Sequence, residues 1–136
     1  MKLLMIYATK FGYKTSKKGL ENAEEINEEK ELNDVLVGFI QVEERDEENA
    51  SYVETKLIKN LKWAARKNET NKIVLHSFNH LSDSKASPDF SKALLDRADE
   101  RLKNSDYETS QTPFGYFLDL DIQAPGHPLA RIFKDI

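Results

Sequence analysis

The segment DVLVGFIQVE, residues 34–43, decides the fold class, because its centre is apolar at consecutive positions rather than at alternate ones. β-Branched and aromatic side chains predominate in it. A short apolar run of this kind indicates a strand that is buried on both faces of a sheet. The sequence therefore predicts a sheet that other elements cover.

Three further segments have the pattern of strands. Residues 2–8, KLLMIYA, form an apolar run of strand length, whereas residues 9–20 carry Gly, Ser and four lysines, which is typical of a loop or an exposed hairpin. KIVLHSFN, residues 72–79, predicts another buried strand. GYFLDLDIQ, residues 115–123, alternates with period two, so one face of this strand is expected to be wet or to lie at an interface.

Two helices are predicted between these strands. Ser51 and Glu54 have the spacing of a capping box, and the helix that they would begin places apolar side chains on one face. Ser87 followed by Pro88 indicates the start of a second helix. Residues 129–136, LARIFKDI, are expected to form a short terminal helix. The predicted order is β, β, α, β, α, β, which is that of an α/β or α+β domain with helices covering a sheet.

Composition narrows the class of protein. A chain of 136 residues with 39% hydrophobic residues is expected to fold as one domain with its own core. The absence of cysteine removes disulfides and thiolate zinc sites, and the net charge of −4 argues against binding nucleic acid by bulk electrostatics. The first apolar run is too short to span a membrane and lacks the features of a signal peptide. We therefore expect no membrane association and a cytoplasmic location.

The histidines raise the question of a metal site. His76 and His80 have H-x-x-x-H spacing, and His127 could supply a third ligand. On a helix that spacing brings two imidazoles to one face. His76, however, lies in an apolar run that is predicted to be extended, which would hold the two rings about 13 Å apart. We therefore predict no metal site.

Side chains for other kinds of hydrolysis are equally sparse. No serine lies in a G-x-S-x-G motif, and Ser77 and Ser82 are near His80 only along the chain. Asp119 and Asp121 project from one face of their strand without a third acidic residue, which favours a solvated surface. His80 is the strongest candidate, because it lies at the end of a predicted strand and opens into a serine-rich loop.

Four segments, taken in their order, resemble the N-terminal editing domain of archaeal-type threonyl-tRNA synthetase. They are LVGFIQVE (36–43), SFNHLS (77–82), TPFGYF (112–117) and GHPLA (126–130). The resemblance covers nearly the whole chain and is strongest from residue 72 to residue 131. It implies a D-aminoacyl-tRNA deacylase-like fold, with a sheet covered by two main helices, and a homodimer with its active site near the interface.

The activity that this resemblance implies is hydrolysis of the ester in seryl-tRNA(Thr), without a cofactor, while threonyl-tRNA(Thr) is spared. The partner would be the acceptor end of tRNA(Thr) carrying serine. Residues 1–136 would then be a single editing domain, either a fragment from the N-terminus of a larger synthetase or a free-standing unit. In a larger synthetase, other domains would supply aminoacylation and most of the tRNA affinity.

The resemblance also implies site residues. His80 matches a pocket histidine that orients substrate or water. Phe117 replaces a tyrosine that is common in the family, Leu118 lies where some members have a lysine, and Arg131 lies where a glutamate can occur. The remaining pocket positions are Val42, Ser77, Phe78, Asn79, Pro113, Phe114, Gly115 and Tyr116.

The departures from the family pattern at Phe117, Leu118 and Arg131 weaken any mechanism that relies on side-chain acids and bases. They favour hydrolysis assisted by the ribose hydroxyl next to the ester, with backbone N–H groups stabilising the oxyanion. Two alternatives stay open. One is deacylation of D-aminoacyl-tRNA on the same fold, and the other is a non-catalytic binding or dimerisation module.

Overall fold

Six β-strands and two α-helices make up the fold in the computed structural model, which describes residues 1–136. No helix combines the length and apolarity needed to cross a membrane. The elements, in chain order, are β1 (Lys2–Lys18), β2 (Glu29–Gln41), α1 (Ala50–Lys67), β3 (Lys72–Ser77), α2 (Pro88–Lys103), β4 (Glu108–Gln111), β5 (Tyr116–Gln123) and β6 (Arg131–Asp135).

All six strands belong to one sheet, in which β4, β3, β2, β1 and β5 are neighbours in that order. β1 is antiparallel to β2, whereas β2, β3 and β4 run parallel to one another. The long β1 uses one edge twice, since residues 10–18 pair with β5 and residues 2–6 pair with β6. The carboxyl ends of β2, β3 and β4 therefore meet at one edge of the sheet, where ligands commonly bind in parallel sheets.

The prediction that residues 34–43 are buried on both faces is confirmed for all of them except Asp34, which is exposed. Leu36 and Ile40 pack with the two helices in a core cluster of 19 buried residues. The alternate residues Val35, Val37 and Phe39 belong to a second cluster of seven on the other side. Gly38, which lies between Leu36 and Ile40 in β2, allows α1 to approach closely, because a Cβ there would lie 2.9 Å from Leu61 Cδ2.

The first strand is longer than predicted. For residues 9–20 the loop alternative is wrong, because β1 continues to Lys18 and pairs with both β2 and β5; residues 10–14 instead form one arm of an antiparallel hairpin with β2. Its lysines are accessible to solvent, while Phe11 and Tyr13 are buried. The hydrophobic partners of this segment come from distant strands, so its own composition does not reveal that it is extended.

The predicted start of α1 is also wrong. The helix begins at Ala50 with Asn49 as its N-cap residue, and no side chain caps it. The Glu54 carboxylate instead accepts hydrogen bonds from Arg97 Nε at 2.6 Å and Arg101 Nη1 at 2.8 Å, both on α2. By contrast, the predicted cap of α2 is confirmed, since Ser87 Oγ accepts a hydrogen bond from the amide of Phe90.

The predicted terminal helix is absent. Residues 128–130 form one short 3₁₀ turn, and β6 follows and pairs with the first half of β1. That half of β1 would otherwise leave a row of backbone N–H and C=O groups without partners, and pairing satisfies them. The polar strand β4 is likewise not apparent from the sequence. The predicted order of the other elements, and the α/β class, are confirmed.

Candidate active site

A cavity of about 500 Å³ lies at the edge of the sheet where β3 and β4 end. The loop after β3, the start of α2, the β4–β5 connection and the turn after β1 surround it. Its lining residues are Gly19, Leu20, His76, Ser77, Phe78, Asn79, His80, Lys85, Ala86, Pro88, Ser91, Phe114, Gly115, Tyr116, Phe117, Leu118 and Leu120.

One wall of the cavity is a loop, residues 78–86, that the side chain of Gln41 holds in place. Gln41 is fully buried at the end of β2. Its Oε1 accepts hydrogen bonds from the amides of Leu81 and Ser82, at 2.7 and 2.8 Å. Its Nε2 donates to the carbonyl oxygens of Ser82 and Ser84, at 2.7 and 2.9 Å. One side chain therefore makes four of the bonds that position the wall between His80 and Ala86.

Glu43 fixes the same loop from its other side. Its Oε2 accepts a hydrogen bond from Ser82 Oγ at 2.7 Å, and its Oε1 accepts one from the Met1 ammonium at 2.7 Å. Burial opposes ionisation of Glu43, but these hydrogen bonds and the nearby positive charges outweigh it and lower the pKa to about 2. The carboxylate is therefore charged throughout the physiological range, and its bond to the loop is charge-assisted.

The opposite wall is the β4–β5 connection, residues 112–115, which is held at both ends. The amide of Thr112 donates to the carbonyl oxygen of Leu75, and His76 Nδ1 lies 2.9 Å from Thr112 Oγ1. The carbonyl oxygen of Gly115 accepts from the amides of Gly19 and Leu20. Gly115 has a φ of +83°, a conformation that favours glycine, so this wall has a fixed backbone.

A row of aromatic rings leads from the buried His76 to the exposed His80 at the cavity. Phe78 lies between His76 and His80, with ring centroids 5.7 Å and 4.8 Å away, respectively. The ring of Phe39 meets those of His76 and Phe78 edge to face. Burial of His76, with a contribution from the neighbouring His80, lowers its pKa to about 4, so His76 is neutral at physiological pH.

Charged side chains at the cavity are few. No carboxylate lines it, and Lys85 is the single lysine or arginine that does. Lys85 forms no ion pair or hydrogen bond through its ammonium group with the rest of the chain. The amides of Asn79, His80, Phe114 and Gly115 have no acceptor within the protein, unlike the neighbouring amide of Phe78, which donates to Ile40. These backbone donors and one free cation suit an anionic or strongly polarised ligand.

A model of the archaea-specific editing domain of threonyl-tRNA synthetase matches the chain over residues 1–136. The chain belongs to this family. Threonine–tRNA ligases of Thermococcus gammatolerans and Pyrococcus furiosus are each 34% identical to it over 139 residues, and that of Methanosphaera stadtmanae is 32% identical. In each case the match covers 100% of this chain and 22% of the ligase, so the chain spans about a fifth of these relatives.

A solved structure shares the fold of this editing domain. The c-Myc DNA unwinding element binding protein superposes with a TM-score of 0.69 at 12% identity, covering 100% of this chain and 99% of that one. At this identity the similarity concerns the fold alone. The predicted D-aminoacyl-tRNA deacylase-like fold, with its sheet and two main helices, is confirmed.

The cavity brings together the pocket residues predicted for the editing domain, apart from Val42 and Pro113. Val42 is buried in the core beneath the helices, where its carbonyl oxygen accepts a hydrogen bond from the amide of Ala86 in the cavity wall. Leu118 lines the cavity, and Phe117 lies at its rim with 47% of its surface exposed.

Other predicted positions lie elsewhere. Arg131 is on β6 opposite Ile6 and does not line the cavity. No three side chains of the His, Cys, Asp or Glu type come together as metal ligands would. His76 and His80 are separated by the ring of Phe78, and His76 bonds to Thr112 instead.

Several residues of the site were not predicted from the sequence. The most important are Gln41 and His76, which hold the walls of the cavity in place, and Lys85, which brings a positive charge to the cavity. Gln41 had one visible signal, since it is the single polar residue between Val35 and Val42 in the apolar run of β2. A lone polar side chain in a buried strand requires hydrogen-bonding partners. No comparable signal marked Lys85.

Proposed function

We propose that this editing domain hydrolyses the ester of L-seryl-tRNA(Thr) and spares threonyl-tRNA(Thr). The observation that carries the proposal is a cavity between two loops whose backbones are fixed at several points, with amides that have no acceptor in the protein and with no carboxylate. Proofreading of this kind is needed because serine lacks one methyl group of threonine. Such a difference changes binding by only about 1–3 kcal/mol, which limits rejection at a synthetic site.

Rigid walls explain how the domain would distinguish the two amino acids. A second site rejects the larger substrate only if its walls do not yield to an additional methyl group. Gln41 and Glu43 hold one wall, and the bonds from Gly19 and Leu20 to Gly115 hold the other. Backbone walls fixed in this way have no rotamers by which to move aside, so threonine would be excluded by steric overlap.

The chemistry of the cavity favours help from the substrate itself. A water oxygen attacks the ester carbonyl carbon and gives up a proton, the bond from that carbon to the ribose oxygen breaks, and the proton is passed to the ribose oxygen, which leaves free serine and a free ribose hydroxyl. With Leu118 and Phe117 in the site, no carboxylate or lysine is present at those positions to transfer protons. We assign this role to the neighbouring ribose hydroxyl of the terminal adenosine, which lies next to the ester oxygen.

The protein would position the water and stabilise charge. The unpaired amides of Asn79, His80, Phe114 and Gly115 are the available donors to the developing oxyanion. The His80 ring, exposed and packed against Phe78, would orient the water or the substrate. Lys85 would bind a phosphate near the acceptor end, since it is the unpaired cation at the cavity.

Further parts of the proposal concern partners. We propose a homodimer in which the exposed Phe117 and Leu120 at the cavity rim, 47% and 39% exposed, lie close to the second copy. We also propose that the domain works in the cytoplasm as part of a larger synthetase, whose other domains would bind most of the tRNA. No cofactor is needed for the ester hydrolysis described above.

The test is deacylation by the 136-residue chain of tRNA(Thr) carrying L-serine, L-threonine or a D-amino acid. The proposal predicts that L-serine is released much faster than L-threonine. Faster release of the D-amino acid than of L-serine would instead assign the domain as a D-aminoacyl-tRNA deacylase. Release of serine no faster than in buffer, even at high protein concentration, would leave a non-catalytic binding module.

A further inference from the structure

A second concave surface lies on α1, away from the cavity, and is lined by positive charge. Lys56, Lys59, Lys62 and Arg66 of α1 border it together with Lys134 of β6. Four of these residues follow one another at intervals of three or four along the helix, a spacing that places them on one face. They extend over about 15 Å at the rise of an α-helix. We call this surface the α1 groove.

The charge of the α1 groove is not compensated. The only carboxylate of α1 is that of Glu54, and it points to Arg97 and Arg101 on α2. The groove contains no acidic side chain, and none of its five cations forms an ion pair. Lys62 and Arg66 bond only to neutral hydroxyl groups, those of Ser105 and Tyr107. This concentration of cations is unexpected in a chain whose net charge is −4.

An aromatic ring lies among these cations. Trp63 borders the α1 groove with 38% of its surface exposed, and the Lys67 ammonium lies 5.9 Å from its ring centroid. Cations beside an exposed aromatic ring are typical of surfaces that bind nucleic acid, and a double-stranded arm, whose bases are paired, contacts such a surface through its phosphates. The phosphates of one strand of a double helix follow one another closely enough for several to face 15 Å of helix.

We propose that the α1 groove binds the sugar-phosphate backbone of the tRNA whose acceptor end enters the cavity. This inference rests on the proposed function, because that function makes an RNA the substrate. α1 follows β2 through a short 3₁₀ turn at the edge of the sheet where the cavity lies. Lys56 is the groove residue nearest the start of α1, whereas Lys62 and Arg66 lie beside Ser105 and Tyr107 ahead of β4, so an acceptor arm that enters the cavity would run along α1 to reach all three.

Trp63 is the only tryptophan in the chain, so its fluorescence reports on the α1 groove directly. The experiment titrates the 136-residue chain with a tRNA(Thr) transcript and follows Trp63 emission at several salt concentrations. The test variant is Lys56→Gln/Lys59→Gln, since neither ammonium group forms an ion pair or a side-chain hydrogen bond, and that of Lys56 lies only near the exposed Tyr52 ring, 5.7 Å from its centroid. The control is Lys14→Gln/Lys72→Gln, which removes two exposed and unpaired lysines outside the groove.

The expected result is saturable quenching of Trp63 that weakens as salt rises. In the test variant the slope of log Kd against log salt should decrease by about two, one for each lost phosphate contact. The control should keep the wild-type slope. Unchanged Trp63 emission at saturating tRNA, or an equal effect in both variants, would overturn the inference. Emission that changes with protein concentration alone would also overturn it and would indicate self-association.

Deacylation separates this inference from the proposed function. The test variant should lower kcat/KM for L-seryl-tRNA(Thr) and leave hydrolysis of L-seryl-adenosine unchanged, because the small ester has no RNA arm to reach the α1 groove. Equal loss on both substrates would contradict the inference and leave the proposed activity standing. A wild-type chain that hydrolyses neither ester would refute the proposed function, while the quenching of Trp63 would still decide whether the groove binds RNA.

Discussion

Replacing Gln41 by Met removes the amide group that holds one wall of the cavity while keeping a side chain of similar length. The amides of Leu81 and Ser82 and the carbonyl oxygens of Ser82 and Ser84 each lose a partner. A hydrogen bond contributes about 0.5–1.5 kcal/mol net to stability. Water can replace some of these four bonds, because Leu81, Ser82 and Ser84 are only partly buried. We expect the free energy of unfolding to fall by about 2–4 kcal/mol.

Urea unfolding of wild type and Gln41→Met measures this change, and Gln123→Met is the matched control. Gln123 is exposed on β5, and its side chain makes no hydrogen bond, so the same substitution there should change stability by less than about 0.5 kcal/mol. In the deacylation assay, Gln41→Met should release more threonine relative to serine, because the wall becomes free to move. A Gln41→Met variant as stable and as selective as the control would refute the role assigned to Gln41.

Three further predictions concern the same site. As pH falls from 6.5 to about 4, proton uptake at His76 in the unfolded chain should remove about 3 kcal/mol of stability, because buried His76 excludes that proton. In urea unfolding, His76→Leu should therefore lose about 3 kcal/mol less than wild type over this range and keep only the loss due to carboxylates such as Glu43. Gly115→Ala should lower the free energy of unfolding, measured by thermal unfolding, by about 1–2 kcal/mol, since its φ is +83° and a Cβ would lie 3.2 Å from Ala23 Cβ. The control Gly126→Ala should be neutral, because a Cβ there meets no atom within 4 Å. Lys85→Met should raise the KM for L-seryl-tRNA(Thr) at low salt with little change in kcat, and an unchanged KM would exclude phosphate binding by Lys85.

The fold could be predicted where hydrophobic side chains repeat at the period of one element. The buried strand around residues 35–42 and the helix cap at Ser87 are local patterns, and both are confirmed. The errors occur where a distant partner decides the structure. Residues 9–18 are extended because β2 and β5 pair with them, and β6 replaces the predicted helix because the edge of β1 requires a partner.

The site could be predicted in part from motifs. The resemblance indicated the residues around His80 and Phe114, and the cavity brings both groups together. The supports of the walls could not be predicted in this way, because Gln41 and Glu43 act through contacts about 40 residues away along the chain. The sequence marks His76 only through its H-x-x-x-H spacing with His80, which does not reveal the bond to Thr112 that gives His76 a positioning role.

The central claim is that the cavity hydrolyses a seryl ester without a side-chain acid or base, with help from the tRNA. The most direct test compares single-turnover deacylation of 3′-linked L-seryl-tRNA(Thr) ending in adenosine with the same tRNA ending in 2′-deoxyadenosine. Proton transfer by a positioned group contributes typically 10²–10⁴-fold, so loss of the hydroxyl should slow the reaction at least about 100-fold. Undiminished hydrolysis of the 2′-deoxy substrate would contradict the claim and would mean that groups of the protein, not the ribose hydroxyl, transfer the protons.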